Sequence, residues 1–210
     1  MSKVIIFDFD GTIADTLDTI ITIVNQLKIK NGYKPTSLEE IAHYKNLTSQ
    51  QIIKKSGISI FKLPCIIRQV KKELTQTIKK VNLFPGIAEI IQQLKQQNHT
   101  LVIITSNSRE NVIAFLNHHN LLEYFDFIYP GRTILGKDKI IKQFLKHENI
   151  NPQNAIYVGD EIRDIEAAQK SNIQIISVTW GFHSKQALMQ HQPDFLIETP
   201  QEILTAIATL

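Results

Sequence analysis

The chain has little sulfur and no long apolar run. Among its 210 residues is one cysteine, Cys65, so no disulfide can close within the chain and no thiolate cluster can hold a metal. Nothing argues for an oxidising compartment, and a cytoplasmic location is the expectation. The first apolar run, "VIIF" at 4 to 7, is only four residues long and ends at a carboxylate. No long apolar stretch or small-residue cleavage site follows it, so neither a signal peptide nor a membrane span is expected. There is no internal repeat and no low-complexity segment. With 43% hydrophobic residues the chain can bury a real core, which argues against a disordered or fibrous protein. Its length fits one domain or a domain carrying an insertion.

Net charge is also low, at +3, but it is unevenly spread. Between Thr16 and Asn82 stand twelve Lys or Arg and four acids, a net +8, which leaves −5 on the remainder. Such asymmetry suggests two bodies with different tasks.

What is present is a set of short apolar runs: "VIIF" (4 to 7), "LVIIT" (101 to 105), "AIYVG" (155 to 159), "IQIISVT" (173 to 179) and "DFLIE" (194 to 198). They are continuous rather than alternating, as expected of parallel strands buried on both faces. Amphipathic stretches such as "IAEIIQQLKQQ" and "DKIIKQFLKHE" lie between them and supply crossover helices, giving an open α/β sheet. Residues 16–82 break this rhythm. They read as several helices, with capping boxes at Ser37-x-x-Glu40 and Thr48-x-x-Gln51 and a stop at Gly32. The chain re-enters the sheet body at "LFPGIAEII", where Pro85 and Gly86 set a turn into a helix.

Ligands of open parallel sheets bind beyond the carboxyl ends of the strands. Three runs end there in polar residues: Asp8 and Asp10, then Thr105, Ser106 and Asn107, then Asp160 with Asp164 four residues on. Asp8 and Asp10 share strand parity and face one crevice, while Gly11 lets the backbone turn tightly beneath a ligand. Carboxylates gathered in this way repel one another unless a cation neutralises them. Oxygen donors without nearby His or Cys favour Mg²⁺, which takes one or two carboxylates plus substrate phosphate and water.

"DFDGT" at 8 to 12, "VIITSN" at 102 to 107, "GKDK" at 136 to 139 and "YVGDEIRDIEAA" at 157 to 168 resemble the four ordered motifs of the haloacid dehalogenase superfamily. The helical insertion after the first motif, and "VTWGF" at 178 to 182, are similar to its phosphoglycolate phosphatase-like branch. The resemblance implies a Rossmann-like α/β core at 1–15 and 83–210, and a helical cap domain at 16–82. It also implies a Mg²⁺-dependent phosphomonoester hydrolase working through an aspartyl-phosphate. Asp8 is then the nucleophile and Asp10 the acid and base. Thr105 and the backbone after it, with Ser106, Asn107, Gly11 and Thr12, hold phosphoryl oxygens; Thr12 either positions Asp10 or closes the turn. Lys137 offsets the charge of Asp8, with Lys139 as its rival. Asp8, Asp10 and Asp160 ligate Mg²⁺, and Asp164 braces Lys137 or a metal-bound water.

From the cap, Lys45 is carried forward as a substrate contact. Tyr44, Asn46, Lys54, Lys55, Arg68 and Lys71 are further candidates. The expected partner is a small phosphomonoester, 2-phosphoglycolate among them, with no nucleic acid and no membrane; monomer and homodimer both remain open. Asp10 argues against a true dehalogenase, which has no acid there. A sugar-phosphate mutase is the alternative, although Ser49 stands where its cap loop usually offers an arginine. A phospho-accepting receiver module is more distant, because it lacks the Asp-x-Asp pair and the inserted helices.

Overall fold

The computed structural model describes residues 2–58, 61–130 and 136–210. Six parallel strands form one sheet: β1 (Val4–Phe7), β2 (Thr100–Thr105), β3 (Phe127–Pro130), β4 (Ala155–Gly159), β5 (Gln174–Val178) and β6 (Phe195–Ile197). Their order is β3-β2-β1-β4-β5-β6. The order reverses between β1 and β4, which opens a crevice at the carboxyl ends of those two strands.

Alternation of side chains divides the core into two layers. Ile5, Phe7, Leu101, Ile103, Ile156 and Val158 enter one layer, while Ile6, Val102, Ile104 and Tyr157 enter the other. Residues from α5 (Ile87–Gln96), α6 (Arg109–His118) and α10 (Gln201–Ala208) complete the first layer. The second is completed from α7 (Lys137–His147), α8 (Ile162–Lys170) and α9 (Lys185–Gln190).

β3 is not among the apolar runs that mark the other strands in the sequence. It is a four-residue edge strand with only Ile128 buried, and it ends at Pro130, so neither a continuous apolar run nor an alternation marks it. The chain has only eight glycines, and helix ends are made largely without them. After α5, α6, α7 and α8 the left-handed position is filled by Asn98, Asn120, Asn149 and Asn172, and after α9 by Gln192.

From Leu17 to Lys80 the described chain contains helices and turns but no strand: α1 (Leu17–Lys30), α2 (Leu38–Tyr44), α3 (Ser49–Ser56), α4 (Leu63–Thr77) and a 3₁₀ turn at Ile78–Lys80. Both expected capping boxes form, at Ser37 with Glu40 and at Thr48 with Gln51. The segment leaves and rejoins the sheet body at one place, because Ala14 bridges to both Asp10 and Leu83. Ile23 of α1 and Leu74 of α4 anchor it in the first core layer. Among the described residues, no helix is long and apolar enough to cross a membrane.

Candidate active site

Register decides what meets in the crevice. Phe7 pairs with Ile103 on one side and Val158 on the other, so Asp8, just after β1, Thr105, at the end of β2, and Asp160, just after β4, lie at nearly one level. The Asp8 N–H continues the ladder by donating to Val158 O at 2.9 Å. Asp8, Asp160 and Asp164 are all buried, and each offers a carboxylate oxygen within 4.8 Å of the others. Lys137, at the start of α7, reaches into this group. Its Nζ donates to Asp8 Oδ2 at 3.0 Å and also pairs with Asp164. Lys139, the rival, is exposed.

Asp10 is held differently. The Asn107 side-chain amide donates to its two oxygens at 3.0 and 3.1 Å. Asn107 is fixed in turn, since its Oδ1 accepts from Ser108 N at 2.8 Å and from the Asn111 amide at 3.0 Å. Asp10, expected among the metal ligands, therefore has its carboxylate turned to Asn107 and outside the triad. Asp164, expected behind the ligands, lies within it. The Thr12 hydroxyl does not reach Asp10: it is buried and donates to Asp160 Oδ1 at 2.7 Å, while the Thr12 N–H closes the turn onto Phe9 O at 3.4 Å. The other Asp160 oxygen accepts from Phe182 N at 2.7 Å. Gly11 has φ +80°, and a Cβ there would collide with the Asp160 carboxylate and the Phe182 ring. The tight turn and the close approach both require glycine.

Thr105 is fully buried, and its hydroxyl oxygen accepts from Asn107 N at 3.0 Å, which leaves the hydroxyl hydrogen to donate elsewhere. Ser106 Oγ accepts from Arg163 at 3.3 Å, and Arg163 also pairs with Glu161. Sequence reasoning passed over Arg163 and Glu161. The signal available was their position inside "GDEIRD", between Asp160 and Asp164.

Five buried carboxylates thus face two cations, Lys137 and the partly buried Arg163. The imbalance raises pKa values. Burial, reinforced by the charges of Glu161, Asp8 and Asp164, pushes Asp160 well above the carboxylate range. Burial also raises Asp8, against the opposing pull of Lys137. Asp10 is pushed up to about 7 by burial and by the charge of Asp8. Burial alone would lower Lys137, but Asp164 and Asp8 outweigh it and hold the ammonium firmly charged. An excess of buried negative charge on hard oxygen donors fits a divalent cation among Asp8, Asp160 and Asp164.

Beside the triad, a cavity of about 390 Å³ opens under the helical segment. Asp10, Ser106, Asn107 and Arg163 form its polar floor, and side chains of α1, α3 and α4 form its roof. Lys45 is half-buried and is not part of this wall; its carbonyl accepts from Ser184 N at 2.9 Å. Lys54, Lys55 and Arg68 are exposed.

The comparisons with known proteins agree with this geometry. The phosphoglycolate phosphatase of Synechococcus elongatus is 36% identical over 208 residues, spanning 99% of this chain and 98% of that protein. A crystal structure of a predicted phosphatase from Clostridium acetobutylicum superposes with a TM-score of 0.87 over the full length of both chains at 23% identity. A haloacid dehalogenase-like family hydrolase from Streptococcus pneumoniae gives 0.81 over 98% of each chain, also at 23% identity. Residues 5–178 match the family pattern of haloacid dehalogenase-like hydrolases. With sheet order, acidic triad and full-length relatives in accord, the chain belongs to the haloacid dehalogenase-like hydrolase family.

Proposed function

We propose that this phosphatase hydrolyses a small anionic phosphomonoester, 2-phosphoglycolate being the first candidate, in two steps through a phosphorylated Asp8. The observation that carries the reading is the separation of two carboxylates from one strand end. Asp8 is tied to Lys137, whereas Asp10 is turned to Asn107 with its pKa near 7. Paired groups pushed into different environments mark a nucleophile and an acid–base.

In the first step an Asp8 oxygen attacks phosphorus, the bond to the leaving oxygen breaks, and Asp10 gives that oxygen its proton. In the second, Asp10 takes a proton from water as the water attacks the aspartyl-phosphate, releasing phosphate and restoring Asp8. Thr105 and Ser106, with the backbone amides beyond them, bind phosphoryl oxygens, and Lys137 balances charge on the Asp8 side. Asp8, Asp160 and Asp164 would hold Mg²⁺, and Thr12 orients Asp160. Mg²⁺ held there would neutralise the charge of the carboxylates and of the phosphoryl group. Residues 16–82 serve as a cap that shields the crevice from water.

The names of the relatives support 2-phosphoglycolate as substrate. Hydrolysis is favoured over mutase chemistry because Ser49, rather than an arginine, stands in the cavity wall, and Arg68 is exposed. The test is turnover of 2-phosphoglycolate by the purified protein. Activity should vanish on chelation, return with Mg²⁺ and be inhibited by Ca²⁺. Asp8→Asn should abolish turnover and bound phosphate, while Asp10→Asn should slow the chemistry by about 10²- to 10⁴-fold. Full activity in Asp8→Asn overturns the covalent route.

A further inference from the structure

The geometry points to Lys71 of α4 as the specificity-determining cation of this site, gripping an anionic group on the leaving portion of the substrate. The inference rests on the phosphomonoesterase reading above.

Asp10, proposed to protonate the leaving oxygen, lines the cavity, so the alcohol portion of a bound substrate occupies that space. The roof is apolar, built from side chains that include Ile20, Ile52, Ile67 and Val70. The segment from 16 to 82 carries twelve Lys or Arg, and among the described residues Lys71 is the one of these that lines the cavity. No carboxylate of the described residues forms an ion pair with it. A half-buried lysine beside isoleucines loses hydration and gains no ion pair in return. An anion arriving with the substrate supplies that partner, in surroundings where charge attraction is stronger than in water.

The position of Lys71 is also tied to the catalytic network. Its carbonyl accepts from the Asn111 amide at 3.3 Å, the same amide donates to Asn107 Oδ1 at 3.0 Å, and Asn107 holds Asp10. A hydrogen-bonded chain thus sets α4 at a fixed distance from the acid. Burial lowers the Lys71 pKa and the charge of Asp10 opposes that fall, which agrees with an ammonium facing the reaction centre from within the cavity.

The test compares 2-phosphoglycolate with ethyl phosphate, whose alcohol has the same two carbons without the carboxylate. Lys71→Met keeps the apolar stem and removes the charge. It should lower kcat/KM for 2-phosphoglycolate roughly 10- to 100-fold more than for ethyl phosphate, mainly through KM. Lys71→Arg should restore most of the difference, and Lys71→Gln carries the same comparison should the methionine variant fail to fold. Equal losses on the two substrates, in a wild-type enzyme that turns over both, overturn the role of Lys71 and leave the phosphatase reading intact. A wild-type protein that hydrolyses no phosphomonoester with Mg²⁺ overturns that reading and the inference together.

Discussion

Asp8 and Asp10 lie two positions apart, yet they meet opposite conditions. Asp8 gains an ammonium at 3.0 Å, while Asp10 meets the neutral amide of Asn107, and there burial and the repulsion of Asp8 outweigh the more distant pull of Arg163. The folded-state pKa of Asp10 is therefore raised from 3.8 to about 7. An acid shifted upward binds its proton more tightly when folded. Its burial costs nothing below the unfolded pKa, and the cost grows as pH rises towards the folded one. In metal-free protein, Asp10→Asn should be more stable than wild type at pH 8 by an amount on the order of 2–4 kcal/mol, with the gap narrowing towards pH 5. Thermal melts in chelator across that range measure it, and a gap that stays constant with pH refutes the assignment.

Among elements, the connection between β5 and α9 joins the two halves of the site. Trp180 Nε1 donates to Thr12 O at 3.2 Å, Phe182 N donates to Asp160, and Ser184 N donates to Lys45 O at 2.9 Å. Buried His183 donates from Nε2 to Leu47 O at 2.9 Å. One loop thus holds the turn after β1, the acidic triad and the link between α2 and α3. His183→Ala leaves Leu47 O without its buried donor, at a cost of about 1–2 kcal/mol. Amide hydrogen exchange should then quicken in α2 and α3 and stay unchanged in α5 and α10. Acceleration spread evenly over the chain shows that the contact supports global stability instead.

Across the whole molecule, a basic helical segment stands over an acidic crevice. Lys54 and Lys55 are exposed and lie outside the cavity wall, and Lys55 contacts His43 rather than the site. Their effect on an anionic substrate is one of field and not of contact, so salt screens it. Lys54→Glu combined with Lys55→Glu should lower kcat/KM for 2-phosphoglycolate by less than about threefold at low ionic strength and not at all at high salt. A large loss that survives high salt would place these lysines in direct contact with substrate.

The sequence by itself determined what local geometry encodes. Strands buried on both faces read as continuous apolar runs, and only the edge strand β3, with one buried residue, escaped. Asp8, Asp10, Asp160 and Asp164 were legible because their spacing at strand ends is a short-range property. Both capping boxes were legible for the same reason. Tertiary structure decided every pairing between residues far apart in the chain. Lys137 and Lys139 are both near the start of α7, and only the packing of α7 against β2 and α8 sends Lys137 to Asp8 and leaves Lys139 in solvent. Thr12 meets Asp160 across 148 residues because β1 and β4 are neighbours in the sheet. The rotation of α4 about its axis turns Lys71 into the cavity and Arg68 out of it, and an amphipathic pattern without its partner surface does not specify that difference.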